Sequence, residues 1–256
     1  VFDGSGNDRH LLNDTQNDSK AACEHESVAT DHAAESWDER HASSLENSAL
    51  LAFIGGFLDG FTYVGHGHVF ANAMTGNVVL LGVYAVARSW HQSLRHLPPI
   101  ITFMFGIWAA RGMLLPRMRR LLRFPYVSVV LVELVIIGGI GCLPNRTSDF
   151  WITTSIAFAA SIQVETFRVV NGRPFNSTFT TGNLRSLSEG VFDWAFQHNV
   201  DDARAKSGDF AVICGLFLLG AMAGGYSTAQ FGNRALFVDF ALLVVLLIRL
   251  WPGVKA

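Results

Sequence analysis

The sequence predicts an all-α integral membrane protein built from two related halves. Each half holds three strong transmembrane helices plus one Thr-Gly-Asn helix, and the two run through the membrane as an inverted repeat. Three observations carry this expectation. Of 256 residues, half are apolar, only 16% are charged and 24 are glycine, whereas soluble domains are about a quarter charged. From Ala49 onward the chain breaks into apolar runs of bilayer-spanning length. And several polar landmarks recur at an offset of 106 residues, as from Thr75-Gly76-Asn77 to Thr181-Gly182-Asn183.

The formal net charge of −2 conceals a split. Residues 1–48 hold 11 acidic and 3 basic side chains, and the remainder holds 10 acidic and 16 basic. Such a polar, one-sidedly charged segment buries too little apolar surface to offset the entropy of ordering. The expectation is a disordered acidic tail over 1–48, a first membrane repeat over 49–145 and a second over 146–256. No apolar core of signal-peptide type occurs in the first 40 residues, so no cleavable secretory signal is expected. The four tail histidines read as solvated polar residues. Cys23, Cys142 and Cys214 are too few and too scattered for a disulfide framework, and arginines that punctuate apolar runs do not form a nucleic-acid surface.

Strong spans are expected at about 49–65, 97–115, 126–143, 151–169, 209–228 and 234–251. The segment 69–88 is long enough to cross, but its first half is polar. The segment 174–196 carries Arg185, Glu189 and Asp193, which fits an amphipathic or interior helix better than a lipid-facing one. The loop Arg-Gly-Met-Leu-Leu-Pro-Arg-Met-Arg-Arg-Leu-Leu-Arg, 111–123, holds five arginines and is assigned to the cytoplasm. Six alternating spans then leave Arg88, Arg95, Arg146 and Arg234 outside. A seventh span at 69–88 would move only the tail and leaves the charge distribution unchanged.

The 106-residue offset also pairs Asp59 with Glu165 and Glu133 with Asp239. Three strong spans per half is an odd number, so the second half would be inverted relative to the first, an architecture shared by many secondary transporters.

The stretch Gly-Gly-Phe-Leu-Asp-Gly-Phe with Met-Thr-Gly-Asn after it, carried by Gly56, Asp59, Met74, Thr75, Gly76 and Asn77, resembles the YoaK-type family of bacterial and fungal membrane proteins of unknown function. In the second half Gln163 and Arg168 match that family's Gln-Asn-x-x-x-Arg pattern, with Val164 standing where the pattern has Asn. The resemblance runs from about 49 to 251. It implies a multi-span membrane protein and no particular activity.

Asp59, Glu133, Glu165 and Asp239 fall inside the expected spans, each costing about 2.5–3.5 kcal/mol at the bilayer centre if charged. Asp59 and Glu165 are the leading proton- or cation-coupling sites; Glu133 and Asp239 are secondary candidates, with Gln163 and Arg168. Each acid has an alternative reading as a neutral carboxyl bonded to a neighbouring helix. Thr-Gly-Asn supplies a hydroxyl, a permissive backbone unit and an amide within one turn. Asn72, Thr75, Gly76, Asn77, Thr178, Thr181, Gly182 and Asn183 would therefore line a small-solute site, or else serve as interhelical hydrogen-bond glue. His66 and His68 read as interfacial loop residues in preference to metal ligands. Gly56-x-x-x-Gly60 and Gly220-x-x-x-Gly224 read as close-packing surfaces. No metal, cofactor or enzyme motif is expected. The functional expectation is a small-solute transporter or permease in the lipid bilayer with proton or cation coupling. The alternative is a non-transporting assembly or regulatory protein.

Overall fold

A computed structural model describes residues 42–115, 117–118, 122, 124–175, 180–196 and 200–251. Nearly all of the expected acidic tail, residues 1–41, lies outside the described residues. The first helix, α1 (Leu45–Gly65), opens inside the stretch assigned to that tail. Ser44 caps it, its hydroxyl accepting from the Asn47 N–H, and Glu46 sits in the first turn, where a negative charge complements the helix dipole. Arg249 near the C-terminus ties this end down through Asn47 and Glu46.

After α1 come α2 (Met74–Val86), the short α3 (Trp90–Leu94), α4 (Leu97–Met113), α5 (Pro125–Gly141) and α6 (Asp149–Thr166). Prolines stand in the first turn of both α4 and α5, where the missing N–H costs no helical hydrogen bond. A two-residue antiparallel pair, β1 (Val169–Val170) and β2 (Arg173–Pro174), follows. Its turn is Asn171-Gly172, with φ of 47° and 77°, the left-handed geometry that two-residue hairpins require. The chain ends in α7 (Thr180–Phe196), α8 (Val200–Phe231), a 3-10 turn (Gly232–Ala235) and α9 (Leu236–Leu250).

The helices pack in close pairs, and glycine sets the distances. Along α1 and α8 the two Gly-x-x-x-Gly motifs face one another. A Cβ at Gly56 would overlap the Phe217 carbonyl oxygen, one at Gly60 that of Ala221, one at Gly220 that of Phe53, and one at Gly224 that of Phe57. On α4, a Cβ at Gly106 would overlap the Ser161 hydroxyl of α6. On α5, Gly138 leaves room for the Phe240 ring of α9. Helix α7 lies on α8, where a Cβ at Gly190 would come within 2.9 Å of the Ser207 backbone nitrogen. On α7, bonds from Arg185 and then Lys206 hold the Glu189 carboxyl below the usual carboxylate range. The interior is filled by Leu51, Ile54, Phe57 and Phe61 of α1, with Val130 and Ile137 of α5, Ile152 and Ile156 of α6, and Leu243 and Leu246 of α9.

The outward faces are equally apolar. Val86, Trp108, Val135, Met222 and Tyr226 are each more than 60% exposed. Large apolar side chains exposed in such number fit a surface meant for lipid or another partner.

The expected plan of two inverted halves with three strong spans each is corrected by the helix lengths. Among the described residues, two helical stretches are long and apolar enough to cross a membrane, Leu45–Gly65 with 21 residues and Asp201–Leu250 with 50. Helix α2 has 13 residues, and α4 and α5 have 17 each. At 1.5 Å per residue these rise about 20 and 26 Å, against a hydrocarbon core of about 30 Å. Helix α6 has 18 residues but is diluted by threonine, serine, Gln163 and Glu165. The sequence windows for 97–115 and 126–143 counted apolar residues past the points where α4 and α5 stop.

Candidate functional site

The predicted site residues fall into separate clusters, each explained by the element that carries it. Asp59 projects from the buried face of α1 and is 5% exposed. Its Oδ1 accepts from the backbone N–H of Asn72 at 2.8 Å and of Ala73 at 3.4 Å. These N–H groups lie at the mouth of α2, whose own N-cap, Ala73, offers no side-chain acceptor. Asp59 therefore supplies from a neighbouring helix the cap that the local sequence lacks. Asn72, fully buried, donates from Nδ2 to the Gly55 carbonyl at 2.8 Å and clamps the same loop to α1.

Asn77 is likewise buried. Its Oδ1 accepts from the Phe70 N–H at 3.0 Å, and its Nδ2 donates to the Phe70 carbonyl at 2.8 Å. This two-point grip mimics a strand partner and fixes the loop against the first turn of α2. His96 Nδ1 lies 3.1 Å from the same Oδ1; an amide oxygen only accepts, so the ring donates from Nδ1. Gly76 permits the Phe70 ring to lie over the turn, since a Cβ there would approach it to 2.8 Å. Thr75 points outward. In the second Thr-Gly-Asn, Thr181 and Gly182 are exposed while Asn183 is buried. Thr178 lies outside the described residues.

Glu165 sits at the end of α6, where its Oε1 is 3.0 Å from Arg111 Nε and 3.6 Å from Arg168 Nη1. Both guanidiniums are more than 60% exposed, so this triad ties the ends of α4 and α6 at a wet edge. No hydrogen bond or ion pair among the described residues joins it to Asp59. Gln163, fully buried two residues earlier, leaves both side-chain polar atoms without a partner.

The secondary acids behave differently. Glu133 on α5 and Asp239 on α9 are 1% and 0% exposed, on helices packed against one another. Glu133 Oε2 and both Asp239 carboxyl oxygens lack any hydrogen-bond partner. Unlike Asp59 and Glu165, these two leave buried oxygens without a hydrogen-bond partner among the described residues.

Sequence reasoning missed two features. The Asn171-Gly172 hairpin presents Arg173 to Asp202 and Asp209, and the Asn-Gly dipeptide between Val-Val and Arg-Pro was its available signal. The contact of His66 with Asp149, 3.0 Å between Nδ1 and Oδ1, joins residues 83 apart in the chain and had no signal in the sequence.

Residues 48–249 match the family described as "Protein of unknown function (DUF1275)". The chain belongs to this family. A UPF0700 transmembrane protein, YoaK of Bacillus subtilis (strain 168), is similar, with 28% identity over 147 residues. That match covers 56% of this chain and 65% of the Bacillus protein, so the chain spans a little under two-thirds of that relative's length. No solved structure matches. Family membership, with two helical stretches apolar and long enough to cross, makes this a membrane protein of the DUF1275 family.

The capping role of Asp59 makes a prediction. Asp59→Leu removes the acceptor and strands two backbone N–H groups, so it should lower stability by about 1–3 kcal/mol. Asp59→Asn keeps an oxygen acceptor in place and should lose much less. Denaturant unfolding in detergent distinguishes the two. Equal losses would show that charge, and not capping, is what Asp59 contributes.

Proposed function

We propose that this chain is a multi-pass membrane protein that moves a small solute with coupled proton or cation transfer, and that Glu133 and Asp239 carry the coupling. The observation behind this reading is the pair of buried carboxyls with unpartnered oxygens on packed helices α5 and α9. A carboxyl kept in that environment is expensive when charged. Yet neither residue caps a helix or pairs with a base, as Asp59 and Glu165 do. A proton or cation that arrives and leaves would complete the missing bonds in turn. The apolar outer surface and the transmembrane name of the Bacillus relative support placement across the bilayer.

A second reading is a non-transporting assembly or regulatory protein. It is favoured by Asp59, Asn72 and Asn77, whose bonds to Gly55, Phe70 and the start of α2 hold the chain together.

Flux decides between them. Protein reconstituted into liposomes with an internal pH dye would be challenged with amino acids, organic acids, sugars and nucleobases. The transport reading predicts solute-dependent proton movement with one class, lost in the Glu133→Gln, Asp239→Asn double variant. No response to any class, or an undiminished response in the double variant, contradicts it.

A further inference from the structure

A cavity of about 520 Å³ lies at the end of the helices where the loop after α1, helix α3 and the start of α6 meet. Polar residues of its wall include His66, His91, Arg95 and Asp149, and Leu94, Pro98 and Phe150 supply part of its apolar wall. None of these seven residues belongs to the Thr-Gly-Asn clusters or to the acid pair.

The electrostatics of the wall are uneven. His66 is almost entirely buried, with 5% of its side chain exposed, and faces Asp149 at 3.0 Å. A carboxylate only accepts, so the ring donates from Nδ1, and Nε2 is left without a partner. Asp149 is thereby engaged, and its charge also complements the N-terminus of α6, whose N-cap Ser148 makes no side-chain capping bond. Arg95 has no such engagement: its guanidinium makes no hydrogen bond or ion pair among the described residues. It nonetheless lies close over the loop, since a Cβ at Gly67 would stand 3.3 Å from Arg95 Nη1 and 3.6 Å from Asp149 Oδ2. Gly67, at φ 74°, is the residue whose missing side chain lets both groups approach.

We infer that this cavity binds a small organic carboxylate, with its anionic end on the Arg95 guanidinium and its apolar body against Leu94, Pro98 and Phe150. A guanidinium fork matches a carboxylate with two parallel hydrogen bonds. A single guanidinium suits a monoanion, and the Asp149 carboxylate in the same wall repels a phosphate dianion more strongly than a carboxylate. His66, its Nδ1 held by Asp149, fixes the loop that forms one wall. The site stands whether or not the chain moves solutes, because binding at Arg95 needs neither Glu133 nor Asp239.

Isothermal titration of the full chain in detergent tests this with benzoate, its neutral relative benzamide and inorganic phosphate. Benzoate is expected to bind saturably and more tightly than either of the others. Arg95→Gln should weaken benzoate roughly ten- to a hundredfold, the range for losing a charge-assisted hydrogen bond. Arg234→Gln, outside the cavity, should leave it unchanged. Arg95 is exposed, so the variant should fold, and an unchanged melting curve checks that. Absence of saturable benzoate binding, benzamide binding as well as benzoate, or an Arg95→Gln variant that binds like the parent overturns the inference. Phosphate preferred over benzoate also overturns it and assigns the cavity to inorganic anions.

Discussion

Gly220→Ala is expected to destabilise the protein by about 3 kcal/mol or more, the upper range for forcing atoms into a filled interior. The added methyl would overlap the Phe53 carbonyl oxygen and lie 2.9 Å from the carbonyl carbon behind it. The obstacle is backbone of another helix, so no rotamer change can relieve it. The same crowding exists at Gly56, Gly60 and Gly224, and separating α1 from α8 would open all four contacts together. Gly215 lies on the same helix, and a methyl added there would meet nothing within 4 Å. Gly215→Ala should therefore gain up to about 1 kcal/mol from helix propensity alone. One substitution type with opposite signs five residues apart separates packing from propensity. Denaturant titration in detergent, with size-exclusion chromatography for folded protein, reads both.

The paired change Glu133→Met, Asp239→Leu should stabilise the protein by about 1–3 kcal/mol, although it alters two buried acids. Methionine follows the unbranched glutamate stem, and leucine matches the fork of aspartate, so volume changes little. What disappears is the desolvation of oxygens that have no protein partner. Replacing buried ionisable groups by well-packed apolar ones is often stabilising by this amount. Asp59→Leu should move in the opposite direction, because its oxygen accepts two backbone hydrogen bonds.

Local patterns carried over from sequence to structure; counts of spans did not. Gly56-x-x-x-Gly60 and Gly220-x-x-x-Gly224 were legible as packing surfaces because glycine spacing on a helix fixes which face can approach a neighbour. That each motif meets the other was not written in either one. Asp59, Asn72 and Asn77 were legible as polar residues with a constrained job, and the sequence left two jobs open. In the fold, bonds to the backbone of Asn72, Ala73, Phe70 and Gly55 use them to hold the loop. The two-half plan failed because apolarity continues past helix ends. Leu114 and Leu115 extend the hydropathy run, but α4 has already terminated at Met113. Glu133 and Asp239 stood out only as acids 106 residues apart; their lack of partners is a property of the packed helices. His66 and Asp149 could be paired only by the fold.

The coupling role of the acid pair is tested most sharply by reading two quantities on one preparation of the Glu133→Met, Asp239→Leu variant reconstituted in liposomes. Resistance to denaturation and solute-driven proton uptake are compared with the parent chain. If the pair carries protons at a cost to stability, the variant unfolds at higher denaturant and takes up no protons. A variant that unfolds earlier than the parent while keeping its uptake would contradict that role.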